Sequence, residues 1–229
     1  MDGTILNTED LYTEAATQLL ALYGKGPLTW DIKIKLQGRP GPEATKIMIQ
    51  EYDLTITPEE FIEQSMKIQA NLWHHSKFLP GALELLEYLY SNNIPMALGT
   101  SSNTTNFDRK THHLKHGFKY FDKHIVTGDD KRIPPGKGKP NPDIWFACLN
   151  SINIDRLASG LDEIQIEECL IFEDGIPGVV SGIAANAHVI WIPDIKALEV
   201  LKGKEHEIIG NNGEIITSLI NFQKEKYFL

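Results

Sequence analysis

The chain has 229 residues, enough for one large domain or two small ones with a substantial buried core. Its 31 acidic and 22 basic residues give a formal net charge of −9, which argues against nucleic acid as a partner because binding it usually needs a basic face. This charge still leaves room for a small phosphorylated substrate, since a few local cations can hold one phosphate in an acidic protein.

The first third of the chain has the apolar spacing of helices. Asn7 and Thr8 can cap a helix that ends near Gly24 and whose predicted apolar positions are Leu11, Ala15, Leu19 and Leu22. A second helix is predicted over residues 42–52. The segment 57–60, Thr-Pro-Glu-Glu, carries the capping threonine, the first-position proline and the third-position glutamate of a helix start. This region is therefore predicted to be all helical.

Beyond residue 80 the pattern changes to short apolar runs that alternate with helices. A helix through Leu83, Leu86 and Leu89 comes first, and the apolar runs cover residues 94–98, 124–127, 169–172 and 188–192. Such alternation is typical of a parallel sheet with helices on both faces. The predicted fold class is α/β, with residues 1–7 and 80–229 as the sheet-containing core and residues 8–79 as an inserted helical cap.

Cysteine usage and hydropathy bear on the compartment. Cys148 and Cys169 lie in apolar stretches and have no metal-ligand spacing, which favours buried thiols in a reducing compartment. No apolar run approaches the roughly 18 residues of a membrane span, and the N-terminus shows no secretory pattern. We expect a cytoplasmic monomer that binds neither membrane nor nucleic acid, and a nuclear location is left open.

Polar side chains follow two of the predicted strands. In an open parallel sheet, ligands bind beyond the carboxyl ends of the strands. Thr100, Ser101 and Ser102 follow the run 94–98 and can hold a phosphate oxygen, although such a turn is often only a turn. Glu173 and Asp174 follow the run 169–172, and two adjacent acids repel each other unless they are exposed or neutralised by a cation. The paired acids are the stronger indication of a site.

Two further segments carry candidate residues of the site. Lys139 lies on a loop that Asn141 and Pro142 constrain at the start of a helix, and Asp2 and Thr4 precede the first helix. A loop lysine is usually solvated and an acid near a terminus usually has no role, so neither segment is informative alone. Their occurrence in order with the groups at the strand ends indicates a functional site.

The order of these segments resembles the haloacid-dehalogenase hydrolases. That superfamily carries Asp-x-Asp-Gly-Thr after its first strand, Thr or Ser after the second, then a lysine, and paired acids after the fourth. Positions 2–4, 100, 139 and 173–174 match this pattern in order and approximate spacing. The sequences of segments 138–143 and 172–179 are similar to those of the phosphoglucomutase-like branch of the superfamily, whose members have a helical cap. The resemblance covers essentially the whole chain and implies a Rossmann-like core.

A narrower resemblance connects the chain with the pseudouridine-5′-phosphatases of animals. It rests on the segments 30–33, 106–111 and 127–130. These positions need not touch a substrate, so they support kinship more than specificity. Among sugar phosphates and nucleoside monophosphates, they favour pseudouridine 5′-phosphate as the substrate.

The superfamily resemblance implies a phosphatase that works through an aspartyl-phosphate. Asp2 would protonate the leaving oxygen and later take a proton from water. Thr100 would hold the transferred oxygens, and Lys139 would offset charge on the phosphoryl group and the nucleophile. Asp174 would bind Mg²⁺, with Glu173 beside it or acting through water, and the backbone carbonyl of Asp2 would be a further ligand.

Substrate contacts are expected from four further residues. Thr4, Ser101 and Ser102 lie in the loops of the site, and Arg39 of the cap can meet a phosphate or a sugar. An exposed arginine on a loop is the alternative for Arg39. No motif for an organic cofactor occurs in the sequence.

In this resemblance the nucleophile, the first acid of the motif, would stand directly before Met1. We therefore expect the chain as written to be inactive and to lack the central strand that supports the nucleophile. Losing that strand would leave buried backbone groups unpaired at about 1–3 kcal/mol each, so we expect the active protein to carry further residues before Met1. A phosphomutase with the same motifs and a non-catalytic binding protein of the same fold stay open as alternatives.

Overall fold

The computed structural model describes residues 1–37, 39 and 41–227, which form a helical unit and an α/β unit. Gly38, Pro40, Phe228 and Leu229 lie outside the described residues. The helices of the first unit are α1 (Thr8–Leu22), α2 (Trp30–Leu36), α3 (Gly41–Glu51) and α4 (Pro58–Ala70). These helices bury an apolar core of their own, formed by Leu19, Leu20, Ile32, Met48, Leu54 and Phe61.

The three helices predicted for this region are confirmed as α1, α3 and α4. The predicted start of α4 is a capping box, in which the Glu60 amide donates to Thr57 Oγ1 at 3.2 Å and the Thr57 amide donates to Glu60 Oε2 at 3.0 Å. The placement of Leu22 in the apolar face is wrong: its side chain is 69% exposed on the last turn of α1, while Leu20 is buried.

Helix α2 is absent from the sequence prediction. Its seven residues, Trp-Asp-Ile-Lys-Ile-Lys-Leu, alternate between apolar and charged side chains, which is the period of a strand rather than a helix. In the fold α2 packs against α3 and against a helix of the α/β unit, α10 (Ile195–Leu201). Tertiary packing therefore overrides the local pattern here.

The α/β unit consists of short parallel strands and the helices between them. Its strands are β1 (Leu98–Gly99), β2 (Ile125–Val126), β3 (Leu170–Glu173), β4 (His188–Trp191) and β5 (Gly213–Ile215). Besides α10, its helices are α5 (Ala82–Ser91), α6 (Thr104–Thr111), α7 (Lys115–Phe118), α8 (Asp143–Ala158), α9 (Ile176–Ala184) and α11 (Glu205–Ile209). The α/β class is confirmed and each of the four predicted apolar runs overlaps a strand, but β1 shares only Leu98 with its run, and β5 was not predicted.

The strands form two half-sheets. The first half-sheet pairs β1 with β2, and the second has the order β3-β4-β5, with every pairing parallel. Among the described residues no strand lies between β1 and β3. Within each half-sheet the strands direct their carboxyl ends to the same side, because their pairing is parallel. The ends of β1 and β3 lie close together, since Lys139 donates to both the Gly99 carbonyl and the Glu173 carboxylate.

A helix that crosses a membrane has to be long and apolar. In the ranges 1–37, 39 and 41–227, no helix has the length and hydropathy that this requires.

Candidate active site

The candidate site lies at the carboxyl ends of β1 and β3, below the helical unit. Thr100 directly follows β1, and Asp174 directly follows β3. The turn that carries Asp2 and Thr4 lies against both strand ends, since the Thr4 hydroxyl approaches Asp174 Oδ1 at 3.5 Å and the Ser102 hydroxyl donates to Asp2 Oδ2 at 3.0 Å. The parallel topology thus brings together side chains that are far apart in sequence.

The Asp2 carboxylate accepts hydrogen bonds from three side chains. Its Oδ1 accepts from Thr8 Oγ1 at 2.6 Å and from Lys110 Nζ at 2.6 Å, and its Oδ2 accepts from Ser102 Oγ. Lys110 comes from α6 and Thr8 from the first turn of α1. Both oxygens of the carboxylate are therefore held in one orientation by donors from three different segments.

Lys110 is the most deeply buried charged side chain of the site. It is fully buried, and its three ammonium protons have three acceptors: Asp2 Oδ1, the Tyr12 hydroxyl at 2.7 Å and Ser102 Oγ at 2.9 Å. The ammonium also lies 4.8 Å from the centre of the Trp73 ring. The burial of this cation is thus compensated by one anion, two hydroxyls and an aromatic face.

These contacts determine the protonation state of Asp2. Burial raises the pKa of Asp2, but the charge of Lys110, the charge of the Met1 amino group and the hydrogen bonds from Lys110 and Thr8 lower it to about 2. Burial lowers the pKa of Lys110, but Asp2 and Tyr12 raise it above its ordinary value. Both groups are charged at neutral pH. In this arrangement Asp2 can take up a proton, whereas donating one would require the carboxyl to be protonated first.

Lys139 forms a second buried ion pair. Its ammonium donates to Glu173 Oε1 at 2.5 Å and to the Gly99 carbonyl at 3.2 Å, and it lies 4.5 Å from the centre of the Trp145 ring. The Glu173 carboxyl is packed against Gly178, where any side chain would overlap it. Glu173 therefore holds the Lys139 ammonium at the end of β1, and its own carboxylate is already partnered.

Asp174 is the least compensated carboxylate of the site. Its Oδ2 accepts from Gln37 Nε2 at 2.6 Å. Burial, followed by the charges of Glu9 and Glu173, raises the pKa of Asp174 to about 8. Position 3 requires glycine for two reasons. Its φ is +66°, in the left-handed region, and a Cβ there would overlap the Asp174 carboxyl.

The chemistry of these donors fits Mg²⁺ only through Asp174 and the main chain. Mg²⁺ in proteins usually takes one or two carboxylates and keeps several waters. The raised pKa of Asp174 reflects its burial first and then the negative charges of Glu9 and Glu173, which a cation would offset, whereas Glu173 is paired with Lys139. Within the described ranges no group of three His, Cys, Asp or Glu side chains is close enough to hold a metal ion alone. The site fits an ion that water and substrate oxygens would help to ligate.

The turn after β1 presents hydroxyl and amide groups. The Thr100 amide donates to the Val126 carbonyl at 3.0 Å, and Thr100 Oγ1 accepts from the Ser102 amide at 3.2 Å. Gly128 braces this turn, since its amide donates to the Ser102 carbonyl at 2.8 Å and a Cβ there would overlap the Ser101 carbonyl. Ser101 is half-buried beside Thr100. The turn is a rigid part of the site rather than a loose loop.

The helical unit reaches the site through Gln37 and Lys33. Gln37 joins the cap to the core by its hydrogen bond to Asp174. Lys33 is buried, and its ammonium donates to the Glu9 carbonyl at 3.1 Å and lies 3.7 Å from Glu9 Oε2. A cavity of about 290 Å³ lies here, lined by Thr4, Glu9, Gln37 and Asp174 among others. It is near the lower end of the size range of small-molecule sites.

Arg39 lies away from this cluster. Its Nε donates to the Lys35 carbonyl at 2.7 Å, its Nη1 lies 3.4 Å from Glu43 Oε2, and its side chain is 43% exposed. The alternative considered for it, an exposed arginine beside the cap helices, describes its position in the structure. The other residues proposed from the sequence do gather here: Asp2, Thr4, Thr100, Ser101, Ser102, Lys139, Glu173 and Asp174.

Sequence reasoning missed Lys110, Gln37 and Lys33. A signal for Lys110 exists, because it shares a helical face with Phe107, Thr111 and Leu114, and a lysine at such a position requires a buried anion. The sequence carries no comparable signal for Gln37, which follows a segment with strand-like alternation.

The chain is similar in sequence to a known protein family and to several known proteins. The sequence profile of the haloacid dehalogenase-like hydrolases matches residues 1–192. A probable pseudouridine-5′-phosphatase of Saccharomyces cerevisiae is 52% identical over 229 residues, which cover 100% of this chain and 94% of that protein. (DL)-glycerol-3-phosphatase 2 of Arabidopsis thaliana is 31% identical over 231 residues, which cover 100% of this chain and 89% of that protein.

A solved structure shows the same fold. A putative β-phosphoglucomutase of Thermotoga maritima superposes with a TM-score of 0.65 at 26% identity, covering 96% of this chain and 92% of that one. The agreement extends over both the helical unit and the α/β unit, since almost the whole chain is covered.

Proposed function

The chain belongs to the haloacid dehalogenase-like hydrolases as a phosphoric monoester hydrolase, and on that premise we propose that it is a Mg²⁺-dependent phosphatase of a small sugar phosphate or nucleoside monophosphate. Pseudouridine 5′-phosphate is the favoured substrate. The name of the Saccharomyces cerevisiae relative, at 52% identity, supports this choice. The cavity of about 290 Å³ between cap and core supports a small substrate rather than a macromolecule.

The observation that carries the proposal is the position of the Met1 amino group. Met1 is only 5% exposed, and the charge of its amino group interacts with those of Glu173, Lys139, Asp2 and Asp174. A residue bonded to this nitrogen would enter the centre of the cluster. The nucleophile we propose is an aspartate at that position, where Lys139 can offset the charge of the phosphoryl group and Thr100 can donate to its oxygens.

Asp2 has the proton-transfer role in this proposal. Its low pKa and its three donors support the step in which it takes a proton from water and the aspartyl-phosphate is hydrolysed. In the first step it would protonate the leaving oxygen, and for that its contact with Lys110 has to lengthen so that the carboxyl can hold a proton. We propose that substrate binding under the cap provides this rearrangement.

We propose Asp174 and the main-chain carbonyl of Asp2 as ligands of Mg²⁺, with Glu173 acting through Lys139 or water. The bound ion would supply positive charge for the transferred phosphoryl group. Thr4, which lines the cavity, and Ser101 and Ser102 of the turn after β1 remain proposed substrate contacts. Arg39 would join them only if its guanidinium left Lys35 and Glu43.

The cysteines support the proposal of a reducing compartment such as the cytoplasm. Cys148 is buried and Cys169 is partly buried, and both are free thiols. Burial raises the pKa of Cys148 to about 12 and that of Cys169 to about 11. Both are therefore unreactive thiols, as expected in a reducing compartment.

The test compares three proteins: the chain 1–229, the chain lengthened by one apolar strand that ends in aspartate directly before Met1, and the same lengthened chain ending in asparagine. We expect phosphate release from a panel of sugar and nucleoside phosphates only with the aspartate and Mg²⁺, with loss on chelation. The asparagine protein should be folded and inactive. If the folded aspartate protein releases no phosphate from any substrate, the binding-protein alternative replaces this proposal.

A phosphomutase is the second candidate, favoured by the similarity to the putative β-phosphoglucomutase of Thermotoga maritima. Both activities use the same groups, and they differ in whether water reaches the phosphorylated aspartate. Steady release of inorganic phosphate supports the phosphatase. Interconversion of two sugar phosphates without net release of phosphate would support the mutase.

A further inference from the structure

The cavity between the helical unit and the α/β unit has an acidic wall. Four carboxylates line it, from Glu9 and Asp10 of α1, Asp174 after β3 and Asp194 before α10. None of the described residues that line it is Lys, Arg or His. Because like charges repel each other, this wall disfavours a second phosphate or a carboxylate on the part of the substrate that lies in the cavity.

Glu9 is a largely buried acid of this wall whose carboxylate lacks hydrogen bonds. Its side chain is 18% exposed, and within the ranges 1–37, 39 and 41–227 only its main-chain carbonyl accepts hydrogen bonds, from Thr13 and Lys33. In the two ion pairs described above the nitrogen lies 2.6 and 2.5 Å from the carboxylate, whereas Lys33 Nζ lies 3.7 Å from Glu9 Oε2. Burial raises the pKa of Glu9, and the charge of Lys33 opposes this only in part. The Glu9 oxygens can therefore accept hydrogen bonds from a ligand.

Lys33 holds Glu9 in place from the neighbouring helix, α2. Its buried ammonium donates to the Glu9 carbonyl at 3.1 Å and lies 4.5 Å from the centre of the Trp30 ring. The charge of Lys33 also favours the ionised form of Glu9. Lys33 does not line the cavity, so it acts through Glu9 and not on a ligand directly.

The Glu9 side chain lies over the turn at Gly3, beside Asp174. A Cβ at Gly3 would overlap both the Glu9 side chain and the Asp174 carboxyl. After burial, the charge of Glu9 is the largest cause of the raised pKa of Asp174. Glu9 is therefore next to the end of the cavity where the phosphate would be transferred, and the remainder of a small substrate has to lie against it.

We propose that Glu9 binds two neighbouring hydroxyl groups of the substrate's sugar, each of which donates to one carboxylate oxygen, and that Lys33 positions Glu9 for this contact. An ionised carboxylate only accepts hydrogen bonds, and its two oxygens match a pair of neighbouring hydroxyls. The substrate class is a monophosphate of a ribose or another polyol with free neighbouring hydroxyls, and not a deoxy sugar, a bisphosphate or a phosphorylated acid. This inference rests on the proposed function for the position of the phosphate.

Binding to the chain 1–229 tests the contact without catalysis. Isothermal titration calorimetry with Mg²⁺ present compares ribose 5-phosphate, 2-deoxyribose 5-phosphate and inorganic phosphate. We expect ribose 5-phosphate to bind about tenfold more tightly than the deoxy sugar, because a site built to bond a hydroxyl rejects a ligand that lacks it. Glu9→Gln should remove this preference and leave the Kd of inorganic phosphate unchanged. Glu14→Gln, at an exposed position of the same helix, should keep the preference.

Variants of Lys33 test whether it positions Glu9. Lys33→Met should reduce the preference for ribose 5-phosphate, and Lys33→Arg should restore it. Lys35→Met on the same helix, where the Lys35 side chain is 48% exposed, should leave the preference unchanged. The double variant Glu9→Gln, Lys33→Met removes both charges, so its expected loss of preference does not come from an uncompensated buried charge. Thermal unfolding establishes that each variant is folded.

Three results would overturn the proposal. The first is that ribose 5-phosphate binds no better than 2-deoxyribose 5-phosphate, or that neither binds. The second is that phosphoethanolamine binds more tightly than ribose 5-phosphate, because the acidic wall would then serve a cation. The third is that Glu9→Gln weakens the binding of inorganic phosphate, or the rise in Tm on adding Mg²⁺, as much as that of ribose 5-phosphate, since Glu9 would then hold the metal.

The same measurements separate this proposal from the phosphatase activity. If the preference for ribose 5-phosphate is found but the protein with aspartate before Met1 releases no phosphate, the sugar site stands and the phosphatase proposal fails. If phosphate is released but the preference is absent, only the role of Glu9 is overturned.

Discussion

The ammonium of Lys110 lies 2.6 Å from Oδ1 of Asp2, although 108 residues separate them in the sequence. Lys110 is fully buried and Asp2 largely so. The contact joins α6 to the turn before α1, and it determines both the orientation and the charge of the acid that would move protons in catalysis. Removing one partner of a buried ion pair leaves the other charge uncompensated and therefore destabilises the folded protein.

Lys110→Met should lower the free energy of unfolding at pH 7 by about 3–5 kcal/mol. The folded-state pKa of Asp2 is about 2, below its ordinary value of 3.8, so the pair contributes stability above pH 3.8 and loses it as the pH falls towards 2. The difference in the free energy of unfolding between the variant and the unchanged protein should therefore shrink as the pH falls from 4 to 2. Urea unfolding at several pH values measures it.

The matched control is Lys115→Met, because Lys115 is exposed. It should change the free energy of unfolding by less than about 0.5 kcal/mol at any of these pH values. A Lys110 variant as stable as this control at pH 7 would contradict the importance of the buried pair.

Gly3→Ala should disturb the site more than Gly24→Ala. The two glycines have nearly the same φ, +66° and +67°, so an alanine at either position costs about 1–2 kcal/mol of backbone strain. A Cβ at Gly3 would also overlap Asp174, whereas a Cβ at Gly24 meets nothing within 4 Å. Thermal unfolding should show the larger loss for Gly3→Ala. Equal losses would mean that Asp174 moves aside without cost.

Mg²⁺ should stabilise the protein more at pH 8.5 than at pH 6. The pKa of Asp174 is raised to about 8, so the group destabilises the fold increasingly as the pH rises from its ordinary pKa of 3.8 to about 8. A bound cation replaces the proton and offsets this loss, and metal binding releases protons. The rise in Tm on adding Mg²⁺ measures the effect. It should vanish in Asp174→Asn, and an equal rise in that variant would exclude Asp174 as a ligand.

Gln37→Leu should weaken substrate binding, and Arg39→Ala should not. Gln37 joins the helical unit to Asp174 by a hydrogen bond to a buried acid. Its loss should weaken closure of the helical unit over the substrate and raise KM. Arg39 is exposed and bonded within the cap. Steady-state kinetics would compare the KM values of the two variants, each made in the protein with aspartate before Met1. A larger rise in KM for Arg39→Ala would restore the role expected from the sequence.

The strand ends were predictable because their signals are local. An apolar run followed by hydroxyls or acids identifies Thr100 and Asp174 within a few residues of sequence, and a parallel sheet brings such ends together regardless of the details of packing. The capping box of α4 was predictable for the same reason, since Thr57 and Glu60 are three residues apart. The placement of Leu22 was wrong because spacing alone does not reveal which turn of α1 the neighbouring helices cover.

The partners of these residues were not predictable in the same way. Whether Glu173 faces a metal or Lys139 depends on the position of a loop 34 residues away, and the structure shows the ion pair. Arg39 and Gln37 are two residues apart, and the packing of α2 against α10 decides which of them reaches the site. The segment of α2 alternates between apolar and charged residues, which does not identify the face of a helix, so the sequence of that segment alone does not orient Gln37 towards Asp174.

The sequence by itself determined the α/β class, the helices of the first third and the residues at the ends of β1 and β3, because apolar periodicity and polar strand ends are properties of short segments. Only the tertiary structure decided that Lys110 neutralises Asp2 and that Gln37 reaches Asp174. These are contacts between segments distant in the chain. They depend on how helices and half-sheets pack, which no local pattern encodes.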